Sequence, residues 1–432
     1  MKNYTLNFRR TLALLLLTTI FPLPACAAQE EAPAPVQNDA LSTQAIGPGL
    51  ANLSLGDSFA PYQWGLKNDG EFQLVQMTTR FRSLESVYGR RKGRSSSISL
   101  PDLEPGMLEK HTDIIHAISG VDINILPAWE QYDAKAPEEK RQVTVAVIDT
   151  GIDYSHPELQ NAMWTNPGEI AGDGIDNDGN GYIDDIHGWN FYTNSPTLYS
   201  GTEDSHGTHT AGTIAAARGS GGVAGITDNQ YVKLMSLKAL GGPLGIGSPN
   251  SVIQAIHYAE ANGASICNLS LGSSAYSQEL ADTIQNSSML FVIACGNGDS
   301  GGHGYNTDEN PIYPASLPFD NVISVASLLF DGSLAESSNF GPVSVDLAAP
   351  GSYILSTAPG GNYAFMSGTS MAAPMVTGVA AMLYSYRTEL TLSDLKPILL
   401  GSAHPLAALA GKTVSGGMLD AYAALNYPLG QP

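Results

Sequence analysis

VAVIDTGID, residues 145–153, is the stretch on which the reading of the fold turns. The run from Val143 to Ile148 is apolar and β-branched without the polar alternation of a half-exposed strand. An unbroken run of this kind marks a parallel strand covered on both faces. Met289 to Cys295 and Val322 to Ala326 repeat the pattern. Helix signals lie between such runs. Ser248-Pro249 forms a cap and first turn, Val252, Ile256 and Ala259 recur at helical spacing, and Gly263 suits the left-handed position past the helix end. The strand Ser265 to Leu269 follows. Repeated strand–helix–strand units predict an α/β fold, a doubly wound, mostly parallel sheet flanked by helices, with its site at the carboxyl ends of the strands. No internal repeat is visible, and the pattern stops near Leu425, so no C-terminal accessory domain is expected.

Asp149 ends the first strand, just before a turn at Gly151. A carboxylate there loses solvation unless it is hydrogen-bonded, and an imidazole N–H is one suitable partner. A helix cap is the other, and the fragment alone does not separate them. SHGTHTAGTIA, residues 205–215, offers His206 and His209 on one helix face, with Gly207, Ala211 and Gly212 permitting close packing. Two histidines at this spacing raise a metal site, but the H-E-x-x-H pattern is missing; one histidine as base and the other as a structural group fits better. SGTSMAAPMVTG, residues 367–378, places Ser370 at the start of a helix, with Pro374 expected in its first turn. A hydroxyl at a helix N-terminus has N–H groups and the dipole at hand to stabilise developing negative charge, although a serine there is also an ordinary cap.

Together and in this order, VAVIDTGID, HGTHTAG and GTSMAAP resemble the three signature segments of the subtilisin-like serine proteases, the subtilases, over about residues 120–425. The Asp, His, Ser order differs from that of chymotrypsin-like proteases and of α/β-hydrolases, and Ser370 stands in G-x-S-x-A, which disfavours a lipase or esterase. The resemblance implies an endopeptidase with Ser370 as nucleophile, His206 as general base and Asp149 orienting the imidazole. It also implies that Asn297, in ACGNGDS, donates its amide to an oxyanion hole. By the same resemblance Leu240-Gly241-Gly242 and Ser270-Leu271-Gly272 are edges that sandwich an extended peptide, and Leu271, Gly272 and Ala294 to Asn297 wall the pocket for one substrate side chain. The glycines in those edges are expected to leave room for the incoming backbone. Met375 stands where the family often has histidine. The alternatives are a non-catalytic binding or inhibitory module, whose mark of lost triad members is absent, and a peptide ligase.

Residues 173–185 are rich in carboxylates around glycine turns. Asp173, Asp176, Asp178, Asn180, Tyr182, Asp184 and Asp185 are candidate ligands. Hard oxygen donors at alternate positions suit calcium, and without a cation so many carboxylates repel one another. From Asp176 the spacing follows an EF-hand loop until His187 replaces the final Glu, so the pattern is not a strict EF-hand. Similar loops bind calcium in many subtilases, and structural calcium is the cofactor expected.

The chain has 432 residues, 43% of them hydrophobic, enough for a sizeable core. Its net charge of −21 argues against nucleic acid as a partner. Proteins or peptides are the substrates expected, and the enzyme is expected to be a monomer. Lys2, Arg9 and Arg10 precede an apolar stretch from Thr11 to Phe21, too short to span a bilayer, and small residues follow. Residues 1–27 therefore read as an export signal, and the protein as secreted or periplasmic. Ala25-Cys26-Ala27 offers ordinary cleavage, which is favoured; Leu23-Pro24-Ala25-Cys26 resembles a lipoprotein box in which Cys26 carries the anchor. No membrane span is expected. Cys267 and Cys295 then remain, and both read as buried free thiols. Residues 28–118 form a leader or propeptide with a basic insertion, Arg90-Arg91-Lys92-Gly93-Arg94, before a catalytic domain at 119–427. That run is a solvated loop or, more sharply, a processing site for another protease. Gln63 to Asn68, however, resembles a segment near the start of some subtilase catalytic domains. If so, the leader is only about 28–56 and the region 71–118 is an insertion; both divisions stand.

Overall fold

A computed structural model describes residues 59–75, 96–99 and 112–428, apart from 243 and 300. The expected export signal, Cys26, the expected leader at 28–56 and the basic run at 90–94 lie outside the described residues. A nine-stranded sheet organises the chain. Across it run His404–Pro405, Gly417–Met418, Leu347–Pro350, Val322–Leu328, Leu290–Ala294, Ile266–Leu269, Val143–Asp149, Val232–Lys238 and Gly188–Asn190. All pairings are parallel except the one between His404–Pro405 and Gly417–Met418. The three apolar runs read from the sequence are thus adjacent or near-adjacent interior strands, buried on both faces as parallel strands under helices must be.

The chain leaves Val143–Asp149 toward one edge, through Gly188–Asn190 and Val232–Lys238, then crosses to Ile266–Leu269 on the other side. This reversal puts the carboxyl ends of Val143–Asp149 and Ile266–Leu269 beside the switch-point crevice where doubly wound sheets carry their ligands. The helix Pro249–Ala261 makes the crossing. Ser248 caps it by accepting from the Ser251 N–H, and Gly263 takes the left-handed conformation just past its end.

The helix Thr369–Tyr386 is apolar nearly all round and buried along most of its length, packed on the central strands and on the helix Ser205–Ala215. Pro374 falls beyond its first turn, contrary to the sequence expectation. A proline there removes the N–H that the Ser370 carbonyl would receive. The Ser270 hydroxyl takes that place and donates to Ser370 O at 2.9 Å.

The segment from Phe59 to Asn68 is built into the same body. Phe59, Tyr62, Trp64 and Leu66 are buried. Gln63 exchanges two side-chain hydrogen bonds with the Ala224 backbone, each 2.9 Å, and Trp64 Nε1 donates to Ser352 O at 2.9 Å. The strands Glu71–Val75 and Thr112–His116 then pair antiparallel. Cys267 and Cys295 are free and buried, and burial pushes the Cys295 thiol up to about 12, so both behave as small apolar residues. No helix among the described residues is long and apolar enough to cross a membrane.

Candidate active site

Asp149 is held at the end of its strand with 1% exposure. Its carboxylate accepts from His206 Nδ1, at 2.8 Å to one oxygen and 2.9 Å to the other, and from the Thr150 N–H at 2.6 Å. A carboxylate only accepts, so the proton of the imidazole sits on Nδ1 and Nε2 is left with its lone pair. The approach of the histidine helix to the strand end depends on Gly207. A Cβ there would lie 2.3 Å from Gly151 O and 3.2 Å from the Asp149 Cβ. The Gly207 N–H also donates to Thr150 Oγ1 at 3.1 Å.

His209, three residues on, does different work. Its Nε2 lies 2.9 Å from Ile354 O and 3.1 Å from Ala364 O, both acceptors, so Nε2 carries the proton. Nδ1 is buried with no hydrogen-bond partner. Burial lowers its pKa to about 4, and the ring stays neutral where proteins ordinarily work. It pins the hairpin Ile354–Ala358 and Asn362–Met366 to the histidine helix.

Ser370 lies in the first turn of its helix, 4% exposed, and its Oγ donates to Ser270 O at 3.3 Å. Ser270 returns a bond to Ser370 O, and its own hydroxyl accepts from Asn268 Nδ2 at 3.0 Å. Asn297 follows the strand Leu290–Ala294. Its Oδ1 accepts from the Thr369 N–H at 2.8 Å and from Thr369 Oγ1 at 3.0 Å. With the amide oxygen so fixed, Nδ2 is aimed away from Thr369 as a donor beside the Ser370 turn.

The two expected peptide-binding edges are placed differently. Ser270, Leu271 and Gly272 follow the strand Ile266–Leu269 at the Asp149 end of the sheet. Leu240–Gly241 pairs antiparallel with Ile246–Gly247, and Leu240 is buried in the core. At Gly241 a Cβ would meet the Tyr192 ring at 2.5 Å, so packing alone already calls for glycine there.

In the acidic loop, Asp178 and Asp185 converge with Glu169, a residue the sequence reading missed, with one carboxylate oxygen of each within 4.8 Å of the others. Asn166 Nδ2 bridges Asp178 and Asp185 at 2.9 and 2.8 Å, and Asn180 Nδ2 donates to both at 3.1 and 2.9 Å. The Tyr258 hydroxyl donates to Asp185 at 2.5 Å. The remaining carboxylates turn to the loop itself: Asp173 accepts from the Ile175 N–H, Asp176 from Asn180 and Gly181, and Asp184 from Gly172 and Gly174. The Tyr182 ring packs against Trp189, Phe191 and Tyr258.

A family model, the subtilase family of peptidases, matches residues 140–423. The major intracellular serine protease of Bacillus subtilis (strain 168) is 37% identical over 278 residues, covering 62% of this chain and 78% of that protein. Subtilisin-like protease 1 of Plasmodium berghei (strain Anka) is 34% identical over 293 residues, 64% of this chain and 48% of the relative, so the chain spans about half the length of that protein. The crystal structure of a cold adapted subtilisin-like serine proteinase superimposes with a TM-score of 0.51 at 28% identity, covering 66% of this chain and 91% of that one. On its fold and on these likenesses, the chain belongs to the subtilase family and is a serine protease, a hydrolase.

Proposed function

We propose that this protein is an exported endopeptidase that cleaves peptide bonds through Asp149, His206 and Ser370. The observation that carries the reading is the carboxylate grip on His206 Nδ1, 2.8 Å from Asp149, on a helix packed against the one whose first turn holds Ser370. His206 Nε2 takes the proton as Ser370 Oγ attacks the carbonyl carbon, and returns it to the leaving amine when the C–N bond breaks. Water then attacks the acyl ester by the same proton transfers in reverse and frees the acid. Asp149 stabilises the imidazolium that forms in each half-reaction. Asn297 Nδ2 and the Ser370 N–H bind the oxyanion, an arrangement worth about 3–4 kcal/mol.

Calcium fits the Glu169, Asp178 and Asp185 group in donor chemistry: three converging carboxylates supply hard oxygen, and a divalent cation relieves their mutual repulsion. Bound there, calcium would act structurally, holding the loop ahead of the histidine helix. The mature catalytic unit begins before Phe59, because Phe59 to Asn68 is part of the core. N-terminal sequencing of the secreted protein that began beyond Asn68 would remove this assignment.

A fluorophosphonate probe is expected to label Ser370, and casein hydrolysis to disappear in Ser370→Ala. Casein cleavage that survives the substitution removes Ser370 from the mechanism.

A further inference from the structure

The stretch that carries Asn297 is held by its backbone as well as by its side chain. One set of bonds comes from the start of the nucleophile's helix. Thr369 occupies the Asn297 amide oxygen, and the Gly296 N–H donates to Thr369 Oγ1 at 3.1 Å. A second set comes from Asn339, 1% exposed, in the loop between the strands Val322–Leu328 and Leu347–Pro350. Its Nδ2 donates to Cys295 O at 3.1 Å, and its Oδ1 accepts from the Gly298 and Tyr305 N–H groups, each at 3.1 Å. Its own backbone N–H donates to Gly296 O at 2.9 Å. The residues on both sides of Asn297 are thus bonded to one distant residue. A carboxamide donates at one atom and accepts two bonds at the other, and both lone pairs of the oxygen are filled here. Gly296 admits the contact: at φ 101° it has no Cβ, and one there would stand 2.6 Å from Asn339 Nδ2.

We propose that Asn339 is a positioning residue for catalysis: by holding Cys295, Gly296 and Gly298 it fixes the place from which Asn297 Nδ2 donates to the oxyanion. The inference rests on the proteolytic reading above and adds to it a residue that acts only through Asn297. A donor in an oxyanion hole is effective because it stands in place before charge develops and need not reorganise during the reaction. Thr369 anchors one atom of the Asn297 amide. The direction from that atom to Nδ2 still pivots with the backbone that carries the side chain, and Asn339 removes that freedom. The bond to Cys295 O needs an N–H, whereas the bonds from Gly298 and Tyr305 need an acceptor, so aspartate at 339 keeps the second function and loses the first.

The test measures cleavage of a peptide p-nitroanilide by the matured enzyme, with competent sites counted by fluorophosphonate labelling run to completion. Asn339→Asp and Asn339→Ala are each made alone and together with Asn297→Ala. A catalytic group displaced by a fraction of an ångström to 1 Å loses up to about 100-fold in rate, so Asn339→Asp is expected to lower kcat by about 10- to 100-fold with KM little changed. In the Asn297→Ala background the same substitution is expected to cost nothing further, because the group it positions is gone. An equal loss in both backgrounds overturns the proposal, since a merely structural residue lowers activity whether or not Asn297 is present. So does an unchanged kcat, or a change confined to KM. Hydrogen exchange of the wild type keeps the proposal falsifiable if no variant folds: the Gly298 and Tyr305 N–H groups are expected to be protected, and free exchange at both overturns it. The levels separate as follows. A labelled, active wild type whose Asn339 variants keep full kcat loses only the Asn339 role. A wild type that is neither labelled nor active removes the proteolytic reading and this one with it.

Discussion

Lys238 and Asp204 form an ion pair out of reach of water, with side-chain exposures of 1% and 0%. Lys238 ends the strand beside that of Asp149, in register with it, and also donates to Thr150 O at 2.6 Å. Asp204 immediately precedes the histidine helix and accepts from the Ser200 N–H. The pair therefore ties the strand end that carries Asp149 to the helix start that carries His206. Burial pushes the Asp204 carboxyl above its ordinary range, and Lys238 opposes that shift. Lys238→Met strands a buried carboxylate and is expected to lower stability by about 3–5 kcal/mol, read by guanidinium unfolding. Restoring an apolar match with Asp204→Leu is expected to recover part of the loss. A single substitution without effect would show that the pair is not holding the fold.

Asn297 has its amide oxygen occupied by Thr369, and under the proteolytic reading its amide nitrogen is the donor to the oxyanion. Asn297→Ala is expected to lower kcat by about 10²- to 10³-fold with little change in KM, because the missing bond forms mainly in the transition state. A change confined to KM would assign the side chain to substrate binding instead.

His209 links stability to pH. Its folded pKa is about 4, below the ordinary unfolded value of about 6.5. Between these values the unfolded chain takes up a proton that the folded ring refuses. The contribution is complete above pH of about 6.5 and is lost as pH falls toward 4, on the order of 3 kcal/mol in all. His209→Gln keeps an N–H for the carbonyls of Ile354 and Ala364 but has no proton to gain. Its melting temperature is expected to fall less steeply than that of the wild type between pH 7 and 4, and parallel curves would remove His209 as the cause.

Calcium is expected to raise the melting temperature relative to excess chelator. At a hundred times the dissociation constant the gain is about 2.7 kcal/mol. Glu169→Gln is expected to shrink that difference, whereas Asp173→Asn, whose carboxylate serves the loop backbone, is expected to leave it. Equal melting temperatures in calcium and chelator end the case for the site.

The sheet was legible because an unbroken apolar run such as Val143 to Ile148 has one comfortable home, between two layers of helix. The meeting of Asp149 and His206 was legible because three short segments recur in a fixed order. What escaped depends on direction and register rather than on composition. Glu169 looks like any surface glutamate until the loop folds back on it. Asp173 and Asp184 carry the right chemistry but point at their own backbone. Lys238 ends the strand Val232–Lys238 and reads in the sequence no differently from Lys233 in the same strand; its partner emerges only when the strand is set beside the helix start. The turn holding Pro374 was misplaced because a proline is easiest to explain at a helix start, and the hydroxyl that excuses it comes from Ser270, far away in the chain.

That hydroxyl has a wider effect. Ser270 and Ser370 clasp one another reciprocally, each side chain reaching the other's carbonyl. Under the proteolytic reading, one loop is thereby both a shelf for substrate and a brace for the attacking oxygen. On that reading, a change that reshapes the shelf disturbs the brace, and selectivity and turnover are expected to move together.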